Sequence, residues 1–116
     1  MCAQTLSSVD QRAAFVDDIL ISQITDGSRV IDLGCGDGRL IARLRDEHQC
    51  SVLGIERDRP AFLATVQRGV AAIMADLNRG LDDIPDGTFD YAVLSQTLQQ
   101  VNRPMQVLHE MLRVAK

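Results

Sequence analysis

A three-layer α/β fold built around a mostly parallel sheet is predicted for this chain, on three observations. Short apolar runs alternate with segments of helical period along the sequence. The runs are continuous rather than alternating apolar and polar, as expected of strands buried on both faces. The first run also passes directly into a glycine-rich turn and then a helical pattern, "VIDLGCGDGRLI" from Val30 to Ile41. Parallel strands joined through helices take right-handed crossovers, which places helices on the sheet faces in a Rossmann-like arrangement.

The elements follow in order. Ser8 to Ile24 reads as a helix: Ser8 and Gln11 form a capping box, and Val9, Ala13, Val16, Leu20 and Ile24 recur on one face. The turn "TDGS", Thr25 to Ser28, leads into a first strand, Arg29 to Leu33. Arg39 to Glu47 is helical, with Leu40, Ile41 and Leu44 inward, and Ser51 to Glu56 is the second strand. Pro60 suits the first turn of a helix that runs to Arg68, and Gly69 suits its C-terminal cap. Val70 to Ala75 is the third strand, "DLNRGLDDIPDGT" a loop, and Phe89 to Ser95 the fourth strand. Pro104 to Val114 is a last helix with Val107, Leu108 and Met111 on its apolar face.

The 116 residues, 46% hydrophobic, suit one domain spanning 1–116. Aromatic residues make up only 3% and Trp is absent, so Leu, Ile, Val, Ala and Met fill the core. A net charge of -4 argues against nucleic acid or an anionic membrane as the main partner. Cys2, Cys35 and Cys50 are odd in number and lack metal-ligand spacing, which points to free thiols in a reducing cytoplasm and to no metal site. No apolar run reaches transmembrane length, and the N-terminus lacks the pattern of a signal peptide, so a cytoplasmic location is expected.

In a sheet of this kind the ligand sits beyond the carboxyl ends of the strands. Gly34, Gly36 and Gly38 let a ligand lie against main chain, and the next helix aims its N-terminal N–H groups at the same place, where they favour an anion. A dinucleotide loop reads G-x-G-x-x-G; here Arg39 takes the place of the last glycine, and Asp32 stands two residues before the first. A carboxylate there disfavours a pyrophosphate and favours an amine or a sulfonium. S-adenosylmethionine combines a carboxylate, an amine and a sulfonium, and fits better than NAD.

Glu56 ends the second strand, where an acid accepts hydrogen bonds from both ribose hydroxyls; this supports an adenosyl cofactor without separating it from NAD. Asp76 closes the third strand in "MADL", placed to accept from an adenine amine while Leu77 offers a backbone N–H. Cys35, inside the loop, either faces the ligand or is a small buried filler. Arg57, beside Glu56, and Ser95, at the end of strand four, complete the cofactor-binding candidates.

Methyl transfer is an in-line displacement for which a protein aligns the acceptor and at times removes a proton. The residues beyond strand four, Ser95, Gln96, Thr97, Gln99 and Gln100, are neutral hydrogen-bonding groups, none of them a good base. His48 and His109 fall on helices away from the strand ends, so no catalytic residue is assigned.

"VIDLGCGDG", "GIE", "ADL" and "FDYAVLSQTLQQV" resemble the class I S-adenosylmethionine-dependent methyltransferases. More narrowly, "GSRVIDLGCGDGRLIARL" and the stretch from "RGVAAIMADL" to "NRPMQVLHEMLRVAK" resemble the MetW-type methionine biosynthesis proteins along most of the chain, with "LSQTLQ" and "EMLRV" the most distinctive segments. The resemblance implies a sheet of order 3-2-1-4, S-adenosylmethionine or S-adenosylhomocysteine as cofactor, a link to methionine biosynthesis and a homoserine O-acyltransferase partner. Strands five to seven of the family's fold have no counterpart before Lys116, so either a form truncated at the C-terminus or a naturally short protein is expected. Strand four then lies at an uncharged sheet edge, "YAVLS", expected to pair with a second copy in a homodimer, to be covered by the last helix, or to join another chain. The functions implied are a small-molecule methyltransferase or a non-catalytic S-adenosylmethionine-sensing accessory subunit of the acyltransferase. A nucleotide-dependent dehydrogenase domain is disfavoured by Arg39.

Overall fold

The strands lie in the order β3-β2-β1-β4, all parallel. The computed structural model describes residues 8–77, 81–94 and 103–115, with side chains from Phe15 onward in the first helix. Its elements are α1 (Ser8–Ser22), β1 (Arg29–Leu33), α2 (Arg39–His48), β2 (Ser51–Glu56), α3 (Arg59–Gln67), β3 (Ala71–Met74), β4 (Tyr91–Leu94) and α4 (Pro104–Val114). This is the α/β class and strand order expected.

β1 sits at the centre, and its alternating side chains divide the core. Val30 packs with Ile21, Ile24, Leu40, Ile41 and Leu44 on one face. Ile31 and Leu33 pack with Ile55, Leu77, Leu81, Val107 and Val114 on the other. Each such aliphatic side chain contributes about 1.5–3 kcal/mol on burial. α2 takes the predicted face, with Leu40, Ile41 and Leu44 buried, and ends where Gln49 turns left-handed (φ 53°) and donates its N–H to Leu44 O.

Two expectations need correction. On α1, Ile24 is buried and Leu20 packs against the core as expected, but the rest of the face is rotated: Asp17 and Ile21 are buried, whereas Val16 is 51% exposed beside the exposed Phe15 and Ile19. Apolar residues occupy several sides of this helix, so period alone does not select one. Ion pairs from Asp17 to Arg39 (3.1 Å) and Asp18 to Arg43 (2.9 Å) fix the rotation. The helix stops at Ser22, and the capping box at Ser8 and Gln11, with Val9 and Ala13, lies outside the described side chains.

α3 has Pro60 in its first turn, as expected, and is capped by Asp58, whose Oδ2 accepts the Ala61 N–H at 3.1 Å. β3 is shorter than expected at both ends, and β4 begins at Tyr91 rather than Phe89. Phe89 turns its N–H away from β1, and Asp90 resumes the ladder through Arg29 O at 2.8 Å. Ser95 lies outside the described residues, as do Gln96, Thr97, Gln99 and Gln100.

α4 has the bounds predicted; Val107 and Val114 are buried and Leu108 and Met111 half-buried. Beyond it, Ala115 is extended and forms a parallel bridge to Phe89, whose N–H donates to Val114 O at 2.9 Å. The first place along the outer side of β4 is therefore taken by the chain itself. No described helix is long and apolar enough to cross a membrane.

Cys35 and Cys50 are free and buried; Cys2 lies outside the described residues. Burial pushes the Cys35 thiol up to about 11, with the charges of Asp32 and Glu56 adding to the rise against a Thr65 hydrogen bond, and burial raises Cys50 as well. A raised folded-state value means that the thiol's contribution is whole below its unfolded value, near 9.0, and is lost as pH climbs towards 11. Native protein at pH 8 is accordingly expected to leave both cysteines unmodified by iodoacetamide, and unfolded protein to label both fully. Peptide mass mapping after a timed pulse checks this; labelling of native Cys35 at the unfolded rate contradicts the buried placement.

Candidate functional site

The glycine loop is assembled by its own main chain. Gly34 and Cys35 both donate N–H groups to Ile55 O, at 2.8 and 3.0 Å, which ties the loop to β2. Gly38 N–H closes a turn onto Cys35 O at 3.1 Å, and Arg39 N–H goes to Asp37 Oδ1 at 3.1 Å. Gly34, Gly36 and Gly38 have φ of 72°, 61° and 82°, a region costly for any side chain. At Gly38 space is also lacking, since a Cβ would stand 2.8 Å from Thr65 Cγ2. At Gly36 a Cβ would meet nothing within 4 Å, so the loop faces open space there.

Glu56 fills the gap between the loop and β2. It is 3% exposed, and its carboxylate accepts three backbone N–H groups: Gly36 at Oε1 (2.8 Å), and Arg57 (3.0 Å) and Asp58 (2.9 Å) at Oε2. A carboxylate oxygen has two lone pairs. Oε2 is thus filled, and Oε1 keeps one acceptor place beside the open side of Gly36.

Two features refine the expected anion site. The N–H groups of Gly34, Cys35 and Gly36 are spent inside the protein, so the loop itself does not offer them to a ligand. Asp32 is fully buried, in register with Gly54 and Val93, and close enough to Cys35 to raise its thiol. With no exposed surface, this carboxylate reaches its surroundings through its field rather than by surface contact.

Of the other candidates, Cys35 turns its sulfur towards Thr65 (3.6 Å) and packs against Gly54, where a Cβ would stand 2.7 Å from it. Arg57 is exposed and meets Glu56 through main chain alone. Asp76 is half-buried at the end of β3 and Leu77 is buried against Ile55. Ala75 N–H donates to Glu56 O at 3.1 Å, bringing this segment beside Glu56. His48 sits at the far end of α2, paired with Asp26, and His109 is exposed on α4.

Three supports of the loop were not foreseen. Thr65 of α3 is fully buried, and its hydroxyl reaches Gly36 O (2.8 Å) and Ala61 O (3.1 Å). Arg68 donates to Asp37 O at 2.8 Å. Arg39, read only as a departure from a dinucleotide loop, clamps α1 to the site through Asp17. A hydroxyl on the inward side of an otherwise apolar helix is the one sequence signal for Thr65.

The family model described as "Methionine biosynthesis protein MetW" matches residues 12–116. The bifunctional methionine biosynthesis protein MetXA/MetW of Rhodopirellula baltica is 40% identical over 108 residues, 86% of this chain and 17% of that protein. Among solved structures, the [4+2]-cyclase SpnF superposes with a TM-score of 0.82 at 26% identity, over 98% of this chain and 45% of that one. Coclaurine N-methyltransferase, bound to N-methylheliamine and S-adenosylhomocysteine, gives 0.78 at 17% identity, over 99% of this chain and 36% of that one, a likeness of fold alone. The chain spans less than half the length of each of these three proteins.

Proposed function

The chain belongs to the MetW family of methionine biosynthesis proteins, and from that premise we propose that it binds S-adenosylmethionine or S-adenosylhomocysteine between the glycine loop and Glu56, as a methyltransferase-like domain. One observation carries the reading. A buried carboxylate at the end of β2 retains an acceptor place beside open space at Gly36, a place suited to a ribose hydroxyl. S-adenosylmethionine supplies an activated methyl group when bound. Glu56 holds the ribose, Asp32 favours the cationic end through its field, and Asp76 with Leu77 borders the base.

A second reading rests on the R. baltica relative, in which MetXA and MetW portions share one chain. Tethering raises the effective concentration of one part around the other. In that reading the chain is an accessory subunit of homoserine O-acyltransferase, and cofactor binding alters its affinity for the enzyme. A homodimer through β4 remains a further proposal, and its contact would run along Tyr91–Leu94 beyond the Phe89–Ala115 bridge.

Calorimetry with S-adenosylmethionine, S-adenosylhomocysteine and NAD tests the first reading. Binding of the first two with a Kd on the order of micromolar, weakened by Asp32→Ala, is expected; binding of NAD alone overturns it. Co-purification with the acyltransferase that strengthens when S-adenosylmethionine is added supports the second reading, and no association in either condition removes it.

A further inference from the structure

We propose that Glu110 and Arg113 are positioning residues for the cofactor site: together they latch the 81–86 segment of the loop after β3 and so hold the Asp76–Leu77 wall. This rests on the cofactor reading above. The pair belongs to the distinctive segment "EMLRV", which lies on α4 apart from the cofactor-binding candidates.

A guanidinium has five N–H donors in a fixed fork. Arg113 uses all five. Nε goes to Glu110 Oε1 (3.1 Å), Nη1 to Ile84 O (2.6 Å) and Asp86 Oδ1 (2.9 Å), and Nη2 to Leu81 O (2.7 Å) and Glu110 Oε2 (2.8 Å). Glu110 Oε2 in turn accepts the Leu81 N–H at 3.1 Å. Leu81 is therefore gripped at both its N–H and its C=O from one side of α4. The Glu110 carboxyl is held below its ordinary range by the Arg113 hydrogen bond, so the pair persists at neutral pH.

The inner side of the latched segment packs on β2 and β3, next in sequence to the candidate residues Glu56 and Asp76. Leu81 and Ile84 line a cavity of about 90 Å³ with Ile55, Ile73 and Ala75. Leu81 and Leu77 are buried in the same cluster as Ile55. Ile55 precedes Glu56, and its carbonyl holds Gly34 and Cys35. Ala75 precedes Asp76 and bonds Glu56 O. Releasing Leu81 loosens the packing under Leu77 and Ile55, and with it the bed on which Asp76 and Glu56 are set.

The test pairs two measurements on the full chain: amide hydrogen exchange without ligand, and calorimetry with S-adenosylhomocysteine. Arg113→Gln and Glu110→Gln are compared with Ile24→Ala, a lesion in the opposite core cluster. The latch variants are expected to speed exchange at Leu81 and Ile84 about tenfold while Leu44 is unchanged, and to weaken S-adenosylhomocysteine about tenfold. Ile24→Ala is expected to lower the melting temperature yet leave the affinity intact, an outcome that a purely structural role for the latch does not produce. Arg113→Lys keeps the charge without the fork; it is expected to show the same pattern at smaller size, and serves if glutamine prevents folding. Wild-type exchange at Leu81 in the latch variants, or undiminished affinity in Arg113→Gln, overturns the proposal. If the wild-type chain binds neither S-adenosylmethionine nor S-adenosylhomocysteine, the cofactor reading falls and the positioning role with it, whereas faster exchange at Leu81 would still identify the latch.

Discussion

Glu56→Ala is expected to remove measurable S-adenosylhomocysteine binding and to destabilise the fold by about 2–4 kcal/mol. Both effects come from one carboxylate. In the free protein it is the acceptor for the N–H groups of Gly36, Arg57 and Asp58. Alanine leaves the half-buried loop N–H of Gly36 without its charged partner, while those of the exposed Arg57 and Asp58 turn to water. One lost half-buried bond to a charged group and two partly replaced ones give the range stated. For the ligand, a hydrogen bond from a ribose hydroxyl to a charged acceptor is worth about 1.5–3 kcal/mol, and the loop that forms the floor is no longer held. Affinity should fall by at least about a hundredfold.

Glutamine is no substitute here. It presents one oxygen and one NH2 group, and in either orientation a donor faces a donor: Gly36 N–H on one side, Arg57 and Asp58 N–H on the other. Glu56→Gln is therefore expected to lose nearly as much affinity as alanine, although it preserves volume. Chemical denaturation and calorimetry on both variants check this. A variant that binds S-adenosylhomocysteine within about threefold of wild type would show that the ribose does not meet this carboxylate.

The parts of this site legible in the sequence are those set by local pattern. Continuous apolar runs gave β1 and β2, and the second run ends at Glu56, as β2 does. The spacing of glycines gave the loop, because positive φ leaves few other choices. The strand order came from family resemblance, since periodicity does not say which strands are neighbours. What stayed hidden depends on contacts between residues distant in the chain. Thr65 meets Gly36 from another helix, and Arg113 meets Leu81 across the whole of β4. Nothing local announces these partners. The use of loop N–H groups was also illegible, because an unpaired donor and one bonded to Ile55 O look alike in sequence. The rotation of α1 failed for a different reason: Phe15, Val16, Ile19, Leu20 and Ile21 make more than one face apolar, and the choice falls to Asp17 and Arg39.

Gly38→Ala is expected to cost about 3 kcal/mol and to weaken S-adenosylhomocysteine at least about tenfold, for two reasons that can be separated. The first is backbone conformation. Gly38 caps α2 at φ 82° and ψ 11°, where an L side chain costs about 1–2 kcal/mol. The second is space: the added Cβ would stand 2.8 Å from Thr65 Cγ2, 2.9 Å from Oγ1 and 3.1 Å from Cα. Thr65→Ala removes the two side-chain collisions and leaves the close Cα and the dihedral strain. The double variant should then recover about 1–2 kcal/mol relative to the sum of the single changes, while remaining less stable than Thr65→Ala alone by the backbone cost. Thr65→Ala by itself loses the hydroxyl bond to Gly36 O and is expected to cost about 1 kcal/mol. Denaturation of the four proteins closes the cycle. If the two changes prove additive, contact with Thr65 does not determine the glycine at this position, and the left-handed backbone is its whole cause. If the double variant regains stability but not affinity, the loop tolerates the added methyl in its fold and fails only in the alignment of α2 with the ligand. That outcome assigns Gly38 to the cofactor rather than to packing.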